Sequence, residues 1–233
     1  MDRLTGVEEL LDGPLDDEAA LVGNLRDLAR INRLTGGTNL SRRAIAVLDG
    51  RSAKVHSILD VGTGAADIPM RLLADARRHG TDLAVTATDS RGEVLAAARI
   101  ARPAITRTAG LELAVADGRA LPWPDAAFDV AHASLVIHHL EPDGAVAFLR
   151  ELRRVARLGI VVNDLVRGWS FWVGGWLLAQ AIARSDYTRH DGPLSVRRAY
   201  TRTELEALVA VAGLTPIARL AGFAGHRVAI AAR

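Results

Sequence analysis

The segment Asp60-Val61-Gly62-Thr63-Gly64-Ala65-Ala66-Asp67 joins an apolar run, VHSIL, to a stretch of helical pattern. Glycines at 62 and 64 permit a sharp turn and a close approach of backbone to a ligand. A pyrophosphate-binding turn would carry a third glycine at 67. Asp67 stands there instead, and a carboxylate at the mouth of a helix disfavours a phosphate. Asp60 adds a second negative charge, so the ligand portion held here is expected to be cationic or neutral. Two further acids end later apolar runs, Asp89 in ATATDS and Asp117 in LAVADG. Asp89 suits a ribose diol, because a carboxylate accepts hydrogen bonds from both hydroxyls, and Asp117 suits an adenine amino group. Each acid alone has an ordinary use as a helix cap. A glycine loop followed by two acids at successive strand ends is much harder to reach by accident.

Other side chains offer acid–base chemistry or an apolar surface. His138 and His139 follow a fourth apolar run, and His190-Asp191 lies in YTRHDGPLSVRRAY, whose Asp-Gly-Pro reads as a turn. Either His138 or His190 is a candidate proton acceptor, with a structural role as the competing reading. His56 and His226, beside strand starts, read as structural, and His79 and His132 have no evident partner. In GWSFWVGGWLLAQAIA, Trp169, Trp172 and Trp176 follow i, i+3, i+7 spacing and share one stripe, with Gly174 and Gly175 opposite. The stripe reads as ordinary core or as a lipophilic pocket. A membrane-surface contact is a third reading, weakened by the lack of a basic polar face.

These groups need a scaffold that brings strand ends together. VHSILDVG, DLAVTATDS, LELAVADG, FDVAHASLV and LGIVVNDLV are short apolar runs separated by helical stretches at 67–79, 90–101 and 141–156. Nearly continuous apolar strands alternating with helices predict a parallel sheet covered on both faces, a doubly wound α/β fold. Such sheets bind ligands at the carboxyl ends of their strands near the switch point. Helices are predicted over 17–34, capped by Asp16-Asp17, and over 41–48. An apolar helix at 168–184, a polar segment at 185–200, a helix at 202–212 and two strands joined across Phe223-Ala224-Gly225 complete the chain. The expected architecture is a Rossmann-like seven-stranded sheet, mostly parallel with a C-terminal antiparallel hairpin, plus a helical cap. Residues 1–50 are expected to form the cap, and 51–233 the binding domain with a cap insertion at about 165–200.

Composition narrows the function classes. The chain has 233 residues, 49% of them hydrophobic, enough for one large domain. It has no cysteine, which excludes thiolate zinc sites, cysteine nucleophiles and CxxC redox chemistry, and no metal is implied. The pI of 9.6 reflects few groups that titrate between neutrality and Arg deprotonation. The net charge of +2 makes no strong positive field, and acids intersperse the arginine pairs, so no nucleic-acid partner is expected. The acidic opening MDRLTGVEELLDGPLDDEAA is no signal peptide, and the uncharged stretch from Gly168 to Ala183 falls short of the roughly 20 residues that span a bilayer. A cytoplasmic location is the expectation, with peripheral membrane contact left open.

At these motifs the sequence resembles the class I S-adenosylmethionine-dependent methyltransferases. ILDVGTGAADIP is similar to their first motif, TATDS to the second, VADGRALPWPDAAFDVAHASLVIHHL to the third and fourth, and LRRVARLGIVVND to the fifth. The run from Asp117 to His139 is particularly similar to the quinone-biosynthesis branch, and INRLTGG and RHDGPLSVRRAY to polyketide-associated small-molecule methyltransferases. Ala66 replaces the third loop glycine, and the usual Gly-Gly turn before the fifth motif is reduced to Leu158-Gly159. The resemblance implies S-adenosylmethionine as cofactor, held by Asp60, Gly62, Thr63, Gly64 and Asp67, by Asp89 and Ser90, by Asp117 and Gly118, and by Ser134. Arg33, beside Asn32, is the expected partner of the methionine carboxylate. Trp169, Trp172, Trp176, His139 and Asp164 are expected to contact the acceptor.

Rival chemistries on this fold lack their residues. A short-chain dehydrogenase needs Tyr-x-x-x-Lys, yet Asp191 and Glu204 stand four after the two tyrosines. An amino-directed nucleic-acid methyltransferase needs an Asn/Asp-Pro-Pro-aromatic turn where Ala133-Ser134-Leu135-Val136 stand, and cytosine C5 methylation needs a cysteine. The expected function is methyl transfer to a small lipophilic aromatic acceptor of phenol, polyketide or quinone type, on oxygen or carbon. The alternative is a catalytically inactive S-adenosylmethionine-binding regulatory domain.

Overall fold

The computed structural model describes residues 1–50 and 54–233. Seven strands, β1 (Ser57–Val61), β2 (Ala84–Asp89), β3 (Leu111–Val115), β4 (Phe128–Ser134), β5 (Ala156–Leu165), β6 (Pro216–Ala221) and β7 (Arg227–Ala232), form one sheet in the order β3-β2-β1-β4-β5-β7-β6. The first five are parallel, and β7 inserts antiparallel between β5 and β6. This is the expected Rossmann-like sheet with its C-terminal hairpin. The chain turns back at the β1/β4 boundary, so the carboxyl ends of these two strands flank a crevice.

Side-chain alternation divides the core between two faces. Leu59, Ala131, Ile160 and Ile230 pack on one face, under α5 (Pro142–Val155) and α8 (Arg202–Val211). Ile58, Val130, Val161 and Ala229 pack on the other, under α2 (Gly37–Leu48) and α3 (Asp67–Arg78). A third cluster joins Leu21 and Leu25 of α1 (Glu18–Leu34) to Ala65, Ala66 and the Val94–Ala98 face of α4 (Gly92–Ala101), so α1 lies over the glycine loop. Asp17 caps α1 by accepting the Ala20 N–H at 2.9 Å. The second helix begins four residues before the predicted Ser41, because Gly36, at φ +78°, turns the chain straight from α1 into α2.

The segment predicted to be polar and turned is instead a helix, α7 (Asp186–Arg198), paired with α6 (Trp169–Ile182). Asp191-Gly192-Pro193 lies inside it and makes no turn. Tertiary contacts override the local signal here. The Asp191 carboxylate accepts the backbone N–H groups of Leu10 and Leu11, and Gly192 packs against Ala179 closely enough that an added Cβ would sit 3.4 Å from that methyl.

Candidate active site

Two cavities open at the carboxyl ends of the strands. The first, about 600 Å³, is lined by Gly62, Thr63, Gly64 and Asp67 of the loop, by Asp89 and Ser90, by Asp117 and Gly118, and by Ser134. Local structure dictates the small residues. Gly62 has φ +71°, and a Cβ there would collide with Val136, while one on Gly118 would collide with Phe148. Ala66 adopts φ +50°, the left-handed conformation that glycine takes without strain.

Each acid in this cavity has a distinct state. Burial pushes the Asp89 carboxyl up, against hydrogen bonds from the Arg91 and Gly64 backbone N–H groups, both at 3.3 Å. Burial likewise raises Asp67, which holds Asn32 at 3.3 Å and Thr38 at 3.2 Å. Asp117 is held below the usual range by Arg119, whose guanidinium donates to it at 2.9 Å. It stays an ionised acceptor, partly engaged.

Two expected cofactor contacts lie elsewhere. Asp60 is buried beneath the cavity, with its Oδ1 2.5 Å from His132 Nδ1. His132 Nε2 meets Ser41 Oγ at 2.8 Å, and Asn163 donates to that hydroxyl at 2.9 Å and to the Gly37 carbonyl at 3.0 Å. This buried chain ties β1, β4 and β5 to α2 and supplies the partner that His132 lacked in sequence. Arg33 is exposed, in an open groove with Arg26, Arg30 and Arg102. One residue earlier on the helix, Asn32 faces the first cavity, because the 100° step between neighbours turns them to different sides.

The second cavity, about 430 Å³, lies between α1, α6, α7 and the β6–β7 turn, and its walls are largely apolar, including Leu28, Ile31, Leu165, Phe171 and Leu178. Leu11, Leu28, Leu135 and His139 line both cavities, so the two adjoin. Leu135 holds φ +60°, a conformation costly for a branched side chain, with its N–H bonded to the Asn163 carbonyl at 2.9 Å.

At this boundary His138 Nδ1 lies 2.6 Å from Asp164 Oδ1, and the His138 backbone N–H donates to Oδ2 at 3.1 Å. Burial alone would raise Asp164, but the His138 ring and the backbone donors hold its carboxyl below the usual range. Asp164 therefore supports His138 from behind: His138 and His139 reach the cavity wall, and Asp164 does not. His139 Nδ1 lies 2.9 Å from Asp12 Oδ1. His190, the other candidate base, is exposed on α7 and pairs with Asp191 at 2.8 Å, outside both cavities.

The tryptophan stripe does not line the second cavity. Trp169 and Trp176 are 65% and 46% exposed, and α6 presents Phe171, Gly174, Gly175 and Leu178 to the cavity instead. The reason is steric: α7 approaches at Gly175, where a Cβ would sit 3.3 Å from Val196, which leaves Trp169 and Trp176 outside, with Trp172 half-buried edge-on to Trp169.

Sequence reading missed Glu9. It is buried among His138, His139, Ser195 and Arg198, and burial pushes its carboxyl up from 4.5 to about 7. Its oxygens lie 3.9 Å from the Nε2 atoms of both histidines, and Ser195 donates to it at 3.0 Å. Glu9, His138 and His139 are the one trio of metal-type donors among the described residues, but the Arg198 guanidinium, 3.7 Å from Glu9, competes with a dication for the same carboxylate. No spacing rule links residue 9 to 138; only the docking of the N-terminal segment on α7 does.

Residues 58–159, a little under half of the chain, match the methyltransferase domain family. Over 100 residues the chain is 34% identical to the ubiquinone/menaquinone biosynthesis C-methyltransferase UbiE of Rickettsia akari (strain Hartford), a match covering 43% of this chain and 40% of that protein. Among solved structures, human N-acetylserotonin methyltransferase in complex with SAM aligns with a TM-score of 0.66 at 16% identity, covering 96% of this chain and 60% of that one. A SAM-dependent methyltransferase from Aquifex aeolicus aligns at 0.59 and 20% identity, covering 87% and 96%. No helix among the described residues is long and apolar enough to cross a membrane.

Proposed function

We propose that the chain is a class I S-adenosylmethionine-dependent methyltransferase and that it methylates a small lipophilic aromatic acceptor of phenol, polyketide or quinone type, on oxygen or carbon. The observation that carries this reading is the apolar cavity adjoining the nucleoside-type cavity at Leu135 and His139. Its volume suits a bicyclic or small tricyclic ring system. The names of the relatives, one of ubiquinone/menaquinone biosynthesis and one an N-acetylserotonin methyltransferase, support a small-molecule acceptor.

Bound in the first cavity, S-adenosylmethionine supplies an electrophilic methyl group. Asp89 would take the ribose hydroxyls, Asp117 the adenine amino group, Asn32 the methionine end, and the Gly62 and Gly64 backbone would allow close approach. Of the expected cap, residues 1–50 with about 165–200, α2 packs on the sheet as core instead, and α1, α6 and α7 are left to exclude water and hold the acceptor in line, which is most of what methyl transfer demands of a protein. With its Nδ1 proton directed to Asp164, His138 keeps the Nε2 lone pair for the acceptor hydroxyl, while His139 and Glu9 complete the polar wall.

Calorimetry with S-adenosylhomocysteine, followed by methyl-transfer assays on naphthols, acylphenols and hydroquinones, tests the proposal. Binding with turnover on one of these classes is the expected result. Binding without transfer to any aromatic acceptor would indicate a cofactor-binding domain without catalysis, and no binding would overturn the reading.

A further inference from the structure

Arg227, the first residue of β7, is 2% exposed and lines the second cavity. Among the described residues its Nε and Nη1 atoms have no hydrogen-bond partner and its side chain makes no ion pair. Burial pushes the guanidinium down to about 10, with Asp164 and Asp67 opposing from a distance, so it remains charged at neutral pH. The guanidinium packs so tightly on Gly37 that a methyl group there would collide with it. A buried ion without a partner is among the costliest features a fold can carry, and removing one partner of a buried pair is strongly destabilising for the same reason. A missing partner is therefore expected on the cavity side.

The neighbouring side chain repeats the pattern. His226 lines the same cavity, its Nδ1 is 2.5 Å from the Phe223 carbonyl, and its Nε2 is buried without a partner among the described residues. Burial lowers its pKa, which keeps the ring neutral and Nε2 an acceptor. The start of β7 thus presents a fixed cation and a hydrogen-bond acceptor side by side at one end of an apolar cavity. His138 and Glu9 also line that cavity.

We propose that Arg227 pairs with an oxyanion, a carboxylate or an acidic phenolate or enolate, on the bound acceptor, so that the substrate is an amphiphilic aromatic acid. This rests on the reading of the second cavity as the acceptor site. The cofactor's own carboxylate has the same chemistry; Arg227 lines the acceptor cavity and Asn32 the other, although both side chains abut Gly37, so the test includes an arm that separates the two ligands.

The test uses protein loaded with S-adenosylhomocysteine and two matched probes, 1-hydroxy-2-naphthoate and its amide. The wild type should bind the acid at least tenfold more tightly than the amide. Arg227→Met should abolish that preference, and Arg227→Lys should retain part of it. Affinity for S-adenosylhomocysteine should stay within about twofold, and the melting temperature of ligand-free Arg227→Met should rise, since an unpaired buried charge has been removed. Equal binding of acid and amide by the wild type would overturn the proposal. So would a tenfold loss of S-adenosylhomocysteine affinity in Arg227→Met with unchanged affinity for decarboxylated S-adenosylmethionine, which would give the guanidinium to the cofactor. A lowered melting temperature in both variants would make it structural. Failure of the wild type to bind S-adenosylhomocysteine would count against the acceptor-site reading itself.

Discussion

His138 and Asp164 are joined twice, ring to carboxylate at 2.6 Å and backbone N–H to the second oxygen at 3.1 Å. The double contact leaves the ring little freedom to turn and directs one imidazole nitrogen away from the cavity, so the other faces it. For an oxygen acceptor, His138→Gln should lower kcat by about 10²–10⁴, the usual range for loss of a general base. Asp164→Asn should cut kcat less. S-adenosylhomocysteine affinity, measured by calorimetry, should hold in both. Unchanged kcat in His138→Gln would leave the pair a structural role.

Asp89→Ala should weaken S-adenosylhomocysteine at least tenfold, because hydrogen bonds to a charged group contribute about 1.5–3 kcal/mol each. Asp117→Ala should cost less, since Arg119 already engages that carboxylate. Equal losses in a calorimetric comparison, or none, would contradict this ranking of the two acids.

Glu9 makes stability depend on pH. Its folded pKa of about 7 lies above its ordinary 4.5, so the folded state prefers the protonated carboxyl. Its contribution is fully present below about pH 4.5 and is lost as pH rises through about 7, with a span of about 3 kcal/mol. Glu9→Gln should remove this slope, matching the wild type near pH 5 and melting higher near pH 8. A Glu9→Gln protein less stable than the wild type at pH 8 would show that the ionised form is favoured instead.

The two sides of α6 should respond oppositely. A Cβ at Gly174 meets nothing within 4 Å although the residue lines the second cavity, so Gly174→Leu should place its side chain toward that space, with less than about 1 kcal/mol of improved helix propensity. Acceptor KM should rise at least tenfold with cofactor affinity unchanged. Trp176→Ser, on the exposed side, should alter neither KM nor melting temperature appreciably. Reversal of these two results would return the tryptophans to the pocket.

Much of this protein is legible in local sequence. Alternating apolar strands and helices, the Gly62/Gly64 turn, and acids at 89 and 117 specify a doubly wound sheet and a nucleoside-type crevice, because strand period, turn conformation and strand-end position are short-range properties. The loop, Asp89, Ser90, Asp117, Gly118 and Ser134 do line one cavity. Tertiary structure alone decided what meets that cavity. Arg33 and Asn32 are neighbours in sequence, yet a 100° helical step turns one to an exposed groove and the other to the cofactor cavity. The tryptophan stripe carries a strong apolar signal, but apolarity does not specify which side of a helix a partner will cover, and α7 covered the side small enough to admit it. Asp191-Gly192-Pro193 has local turn chemistry and is helical because Asp191 caps a segment 180 residues earlier. Glu9, His138, Asp164 and Arg227 belong to distant parts of the chain, and pairings at such separation are set by packing, which no local pattern encodes.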